Sequence, residues 1–185
     1  MSVLGMVEFS AIAVGVRGSD AMVKAAPVEL IESRPITPGK YMSLVTGDVA
    51  SVAASVEAGV RAAGDRGVVE RFVLANLHDQ VLPAILGKAS PPRIQAIGVI
   101  ETASAAAIVE SADAACKAAP VSLVQLHLAN HIGGKGYATF TGTVADVEAS
   151  VAAGARAAGA QLIDRVVIPN PYPELNTYLT RRHSW

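Results

Sequence analysis

Hydrophobic and polar positions along the chain fall into two matching sets of short runs and longer helical stripes. Residues 3–9 and 94–101 are aliphatic runs of strand length. Residues 10–26 and 103–119 are Ala-rich and end immediately before Pro27 and Pro120, where helices stop because the residue before a proline is disfavoured in the α region. Residues 28–34 and 41–46 flank a Pro/Gly loop and predict two further strands. Asp48 and Thr143 suit N-caps of a second helix in each set; Val49, Val52, Val56 and Val60 recur there at helical spacing, and Val144, Val147 and Val151 repeat the stripe. Residues 68–75 and 163–169 supply the last strands. The order strand, helix, strand, strand, helix, strand, short helix predicts an α+β fold in which an antiparallel sheet is covered on one face by helices.

The two sets are copies of each other. Residues 5–34 align with 98–127 at an offset of 93, with 12 identities in 30 positions, and residues 39–64 align with 134–159 at an offset of 95, with 16 in 26. Beyond that the offset is 94, so Arg71, Val73 and Asn76 return as Arg165, Val167 and Asn170. The Gly/Ser/Pro cluster at 87–92 suits a join, which places the first domain at 1–90 and the second at 91–185. A domain of this size hides only about 60–70% of its unfolded surface, so pairing with another domain is expected. The face of the second helices opposite the Val stripe carries Ala50, Ala54, Ser55 and Ala58, then Ala145, Ala149, Ser150 and Ala153. These small residues permit close backbone approach, and a generally Ala-rich helical composition explains them equally well.

Composition narrows the function. The 185 residues are 51% hydrophobic, 4% aromatic and 17% charged, which excludes a disordered, collagenous or coiled-coil chain and calls for a core built mainly of Ala and Val. A net charge of −1 argues against a nucleic-acid partner. Cys116 is the one cysteine, so neither an intrachain disulfide nor a four-cysteine metal site fits within the chain. No apolar stretch reaches the roughly 18 residues of a membrane span and the first residues lack a basic region, so a cytoplasmic protein without a membrane partner is expected.

Candidate chemistry is sparse. His127 and His131 have the i, i+4 spacing of metal ligands but no evident third ligand, and His78 and His183 are isolated. Residues 132–136 resemble a phosphate loop, yet Ala129 stands where its first glycine is needed and a strand follows, so a Gly-rich turn is the better reading. Glu8 and Glu101 are equivalent acids that would suit acid–base work, but duplication accounts for both. Cys116 lies in an Ala-rich helix without an adjacent histidine. No metal site and no enzyme activity are expected.

The repeated order of a strand ending in Glu8 or Glu101, Asp20-Ala21 or Asp113-Ala114, the run Lys24–Val28 or Lys117–Val121, a glycine loop, Gly47-Asp48-Val49 and Pro169-Asn170-Pro171 resembles the shell proteins of bacterial microcompartments. It is most similar to their tandem-domain trimeric class (BMC-T), non-permuted, of the PduT type. This resemblance implies a structural protein: a homotrimer imitating a six-domain hexagonal tile, meeting other shell proteins edge to edge, with encapsulated enzymes as further partners. It implies a central pore for small polar metabolites lined by Pro35, Ile36, Thr37, Pro38 and Gly39 and by Asn130, His131, Ile132, Gly133 and Gly134. Lys24, Asn76 and His78, with Lys117, Asn170 and Tyr172, match tile-edge positions, although the usual Arg-Pro-His is absent. PduT-type proteins carry an iron–sulfur cluster on a cysteine at the position of Thr37, so no such cofactor is expected here. A duplicated small-molecule-sensing α+β module is the alternative.

Overall fold

The structure, a computed structural model, describes residues 2–89 and 93–179; residues 90–92, at the end of the expected join, and His183 lie outside them. Among the described residues no helix is long and apolar enough to cross a membrane. The chain divides into two compact units, Met1–Leu77 and His78–Trp185.

In the first unit β1 (Ser2–Phe9), α1 (Ile12–Ala25), β2 (Glu29–Ile36), β3 (Lys40–Gly47), α2 (Val49–Ala63) and β4 (Val68–Leu77) follow in order. The second contains α3 (Val81–Ile85), β5 (Ala96–Thr102), α4 (Ala105–Ala118), β6 (Ser122–Leu128), β7 (Gly136–Gly142), α5 (Val144–Ala158), a 3-10 turn, β8 (Leu162–Ile168) and α6 (Pro173–Leu179). Each copy folds into a four-stranded antiparallel sheet, in the orders β2-β3-β1-β4 and β6-β7-β5-β8. Asp48 caps α2 by accepting from the Ser51 amide at 2.9 Å, and Thr143 caps α5 by accepting from Asp146 at 3.3 Å. Those Ser51 bonds hold the Asp48 carboxyl below its usual range. Val52 and Val56 of the predicted stripe are buried, as are Val147 and Val151. Val49 and Val144 are exposed instead, because they occupy the first helical position beside the cap rather than the covered face.

Glycine in the central strand lets the second helix settle on the sheet. A Cβ at Gly5 would lie 2.6 Å from Val52 and 2.8 Å from Val56, and one at Gly98 2.5 Å from Val151 and 2.7 Å from Val147. The two helices of each copy also meet through small residues. Gly59 has Met22 over it, and Gly154 accepts a 2.9 Å hydrogen bond from the buried Ser111 hydroxyl. Ser150 donates to the Ala115 carbonyl at 3.0 Å, so part of the small-residue stripe serves helix pairing; Ala50, Ala54, Ala145 and Ala149 are exposed and do not.

Between the copies, bulk is exchanged across the helix–sheet contact. Gly15 of α1 faces the Tyr41 ring, whereas its counterpart Ile108 of α4 faces Gly136, the counterpart of Tyr41. Likewise Gly18 makes room for Phe9, where the second copy has Ser111 and Thr102. The first copy further buries a hydroxyl network in which Ser33 donates to Tyr41 at 3.0 Å and Ser19 lies 2.5 Å from Ser43. Its counterparts Ala112, Leu126, Ala138 and Gly136 are apolar or glycine. Each interior is filled once, by different residues at equivalent places.

The segment after β4 belongs to the second unit although the glycine/proline cluster lies further on. The His78 amide donates to Asp113 Oδ1 at 2.8 Å. Gln80 then satisfies the open edge of β6 with its side chain: Nε2 donates to the Val121 carbonyl at 2.8 Å, and Oε1 accepts from the Leu123 amide at 2.8 Å. Val81 and Ala84 of α3 are buried behind it. Polar side-chain bonding, not composition, sets this boundary.

The exchanged bulk makes a direct prediction. Gly15→Ile overpacks α1 against Tyr41 and costs about 1–3 kcal/mol. Adding Tyr41→Gly, which reproduces the second copy's arrangement, recovers part of that loss. Urea unfolding followed by circular dichroism reads both values, and additive losses would refute the exchange.

Candidate functional site: the hairpin loops and the outer edge

Each copy joins its second and third strands by a short turn; these turns hold eight of the ten residues expected to line a pore, while Pro35 and Ile36 are the last two residues of β2, which runs further than the sequence predicted. In the first copy Gly39 donates its amide to the Ile36 carbonyl at 3.0 Å and adopts φ +84°, a conformation that favours glycine. Ile36 is buried, Thr37 is half-buried, and Pro35, Pro38 and Gly39 are exposed. In the second copy Ala129, His131, Gly133 and Gly134 all have positive φ, and the turn is pinned where Ala129 donates to the Lys135 carbonyl at 3.0 Å. His131 and Gly133 are exposed there, while Asn130 and Ile132 are half-buried and Gly134 is buried. The structure thus gathers each set of five within its own hairpin.

The histidines do not converge as a metal pair. His127 lies in β6, where its Nε2 bonds the Asn130 carbonyl at 2.7 Å and its ring stacks on Tyr137 at 5.2 Å, while His131 stands in the turn. Burial raises the Tyr137 phenol above its usual range. Among the described residues no group of three or more His, Cys, Asp or Glu gathers. A strand, β7, follows the glycines at 133–136, as a hairpin requires and a phosphate loop does not. An iron–sulfur cluster needs thiolate donors. Thr37 offers a hydroxyl in place of a thiolate, and Cys116 is buried in α4 with its thiol pushed up to about 12 by burial and then by the Asp113 charge.

What sequence reading missed is a clasp at the base of each loop. Lys40 Nζ lies 2.6 Å from Glu8 Oε1, and Lys135 Nζ lies 2.7 Å from Glu101 Oε1. Each lysine begins or precedes the third strand and each glutamate is the next-to-last residue of the central one, so the pair ties the loop's exit to the middle of the sheet. The signal was present, because all four residues recur at equivalent positions; what was lacking was the strand pairing that brings them together. The two clasps differ in setting. The Glu8 side chain is buried and Oε2 finds no hydrogen-bond partner among the described residues, whereas Glu101 and Lys135 are partly exposed, at 35% and 47%.

The expected edge residues lie at two places in each copy. Lys24 and Lys117 occupy the last turns of α1 and α4 and pair with Asp20 at 2.7 Å and Asp113 at 2.6 Å. Asn76 is exposed at the end of β4 with φ 60°, and Asn170 and Tyr172 are exposed beyond β8. Asn170 also borders a groove of about 500 Å³ with Arg93, Gln95, Thr143 and Asn176. His78 differs, since it is half-buried and its amide is committed to Asp113.

Comparison with known proteins defines the class. The BMC-domain family model matches residues 3–77 and again residues 96–171. The bacterial microcompartment shell protein PduT of Citrobacter freundii is 42% identical over 174 residues, covering 93% of this chain and 94% of that protein. A microcompartment protein from Desulfitobacterium hafniense DCB, known by its crystal structure, is 46% identical with a TM-score of 0.88, over 96% of this chain and 99% of that one. The shell protein EutM of Salmonella typhimurium is 43% identical over 87 residues, 45% of this chain but 91% of EutM, as expected if it matches one copy. A fused permuted hexameric shell protein from the RMM microcompartment shares the fold, with a TM-score of 0.64 at 22% identity over 85% of this chain and 83% of that one. The chain therefore belongs to the BMC-domain family. It is a bacterial microcompartment shell protein with tandem BMC domains, and these relatives lend no support to a sensing module.

The unequal burial of the clasps sets the expected cost of breaking them. Lys40→Met leaves a buried carboxylate without its partner and destabilises by about 3–5 kcal/mol. Lys135→Met, at a partly exposed pair, costs at most about 1 kcal/mol. Denaturant unfolding of the two variants measures the difference, and equal losses would refute the assignment.

Proposed function

We propose that three copies of the chain close into a homotrimer whose six BMC domains imitate a hexagonal tile, and that a central pore passes small polar metabolites. The observation that carries this reading is the pair of loops, each placed at the same end of its own sheet with its following lysine neutralised by a clasp. Around a common axis they would offer Thr37 hydroxyls, Asn130 amides and His131 imidazoles to a solute, with no carboxylate among them. Surface burial supports assembly. Ile12 and Val16 on α1 are 45% and 54% exposed, whereas their counterparts Ala105 and Val109 on α4 are buried. Apolar surface of this kind marks an interface, and closed rotational symmetry is the usual way of covering it. The role is structural, in the microcompartment shell, with other shell proteins as lateral partners.

Solution mass and electron microscopy of concentrated protein test the tile, the expected result being a trimer that assembles into sheets. Among edge positions Lys24 is the cleaner probe, because its partner Asp20 is exposed while Asp113, the partner of Lys117, also holds His78. Lys24→Ala keeps the Asp20 carboxylate, leaves the trimer intact and weakens or abolishes sheets, since contacts made by solvated lysines are individually small and sum along an edge. Sheets of unchanged extent would show that Lys24 is not at the edge.

The cofactor proposal is separate: the native protein holds no iron–sulfur cluster because Thr37 supplies no thiolate. Thr37→Cys, reconstituted anaerobically with iron and sulfide, gains a brown charge-transfer chromophore from three thiolates on the axis. A stoichiometric cluster in the native protein would overturn this view.

A further inference from the structure

We infer that α6 and the residues before it form a strap that docks on the first repeat of a neighbouring copy, along the edge made by β2 and the end of α1. The inference rests on the trimer reading above and adds the contact that closes the ring. Its basis is a docking already visible once in the chain. The segment that follows the first repeat seats on the second: the His78 amide on Asp113, the Gln80 side chain on the edge of β6, and Val81 and Ala84 behind them.

Every part of that docking has a counterpart, and the counterparts are open. At the repeat offset of 94, Val81 and Ala84 correspond to Leu175 and Tyr178; the first two are 0% and 5% exposed, the second two 38% and 61%. On the receiving side Leu123 is 3% exposed and its counterpart Leu30 42%. Asp113 has a side chain 7% exposed against 59% for Asp20, although both make the same i, i+4 ion pair with lysine. A strap with exposed apolar side chains and an exposed strand edge of the same design are thus matched in chemistry.

The polar contacts follow by equivalence. Tyr172 stands where His78 does, so its amide donates to Asp20 Oδ1. Glu174 stands where Gln80 does, and its carboxylate accepts from the Leu30 amide, though it has no donor for the Val28 carbonyl. The occupant is a second copy because the strap leaving the first repeat seats on the repeat that comes next. In the proposed six-domain ring the repeat that comes after the second is the first repeat of the adjacent chain, so the strap leaving the second repeat meets it.

Cross-linking tests this in the full-length protein. Leu30→Cys with Glu174→Cys, treated with a short bis-maleimide, yields covalent dimers and trimers on a denaturing gel, while either single variant does not. The native thiol stays silent, since Cys116 is buried and its pKa is pushed up to about 12. A trimer by native mass that gives no cross-link, or a link confined within one chain, would overturn the strap and leave the trimer reading standing. A chain monomeric at every concentration would overturn both. As a second readout, Leu175→Asp with Tyr178→Asp moves the trimer-to-monomer midpoint to higher concentration without changing the monomer's circular dichroism; an unmoved midpoint counts against the strap.

Discussion

Both copies depend on a glycine in the middle of their central strand. Gly5 and Gly98 remove the one side chain that would hold the Val-lined helix off the sheet, and Val52, Val56, Val147 and Val151 fill that space. From this seating the rest follows. The second helix lies low enough for Gly59 and Gly154 to meet the first helix, and the first helix then covers the hairpin that carries the loop. A chain with only 4% aromatic residues gains packing density by such close approach of backbones rather than by large rings.

On this shared frame the copies have diverged in what they cover. Where the first copy has bulk at Tyr41 and Phe9 the second has it at Ile108, and where the first has a hydroxyl network the second has Ala and Leu. Outside the core the divergence is in exposure: Glu8 is buried and Glu101 partly exposed, Ile12 and Val16 are open where Ala105 and Val109 are closed. Duplicated domains that met identical surroundings would not separate in this way. Tandem fusion gives each copy its own environment, and a membership shared with single-copy shell proteins such as EutM shows that one BMC domain is the unit from which the chain is built.

Much of this was legible in the chain. The internal offsets of 93, 95 and 94 identified two domains; the caps Asp48 and Thr143 and the prolines at 27 and 120 located helix ends to within two residues. The Asp-Ala, Lys-Ala-Ala-Pro-Val and glycine-loop order pointed to the shell-protein family, whereas Pro35 and Ile36, read as loop, continue β2 because strand pairing with Tyr41 and Lys40 extends it. The Glu8–Lys40 and Glu101–Lys135 clasps were not found, because a pair 32 or 34 residues apart is joined only through antiparallel register. Nor was the seating of Gln80, whose side chain acts as a strand edge at a position that composition marks only as part of a polar segment.

Sequence alone determined the elements, their order and their duplication, since these depend on local periodicity, capping and proline, which act within a few residues. Tertiary structure decided which equivalent residues are buried and which are open, where the first unit ends, and which charges meet. Those outcomes depend on long-range pairing and on the volume left by neighbours. Ile108 takes the space that Gly136 leaves, and Tyr41 the space that Gly15 leaves, so neither residue's place can be read without the other.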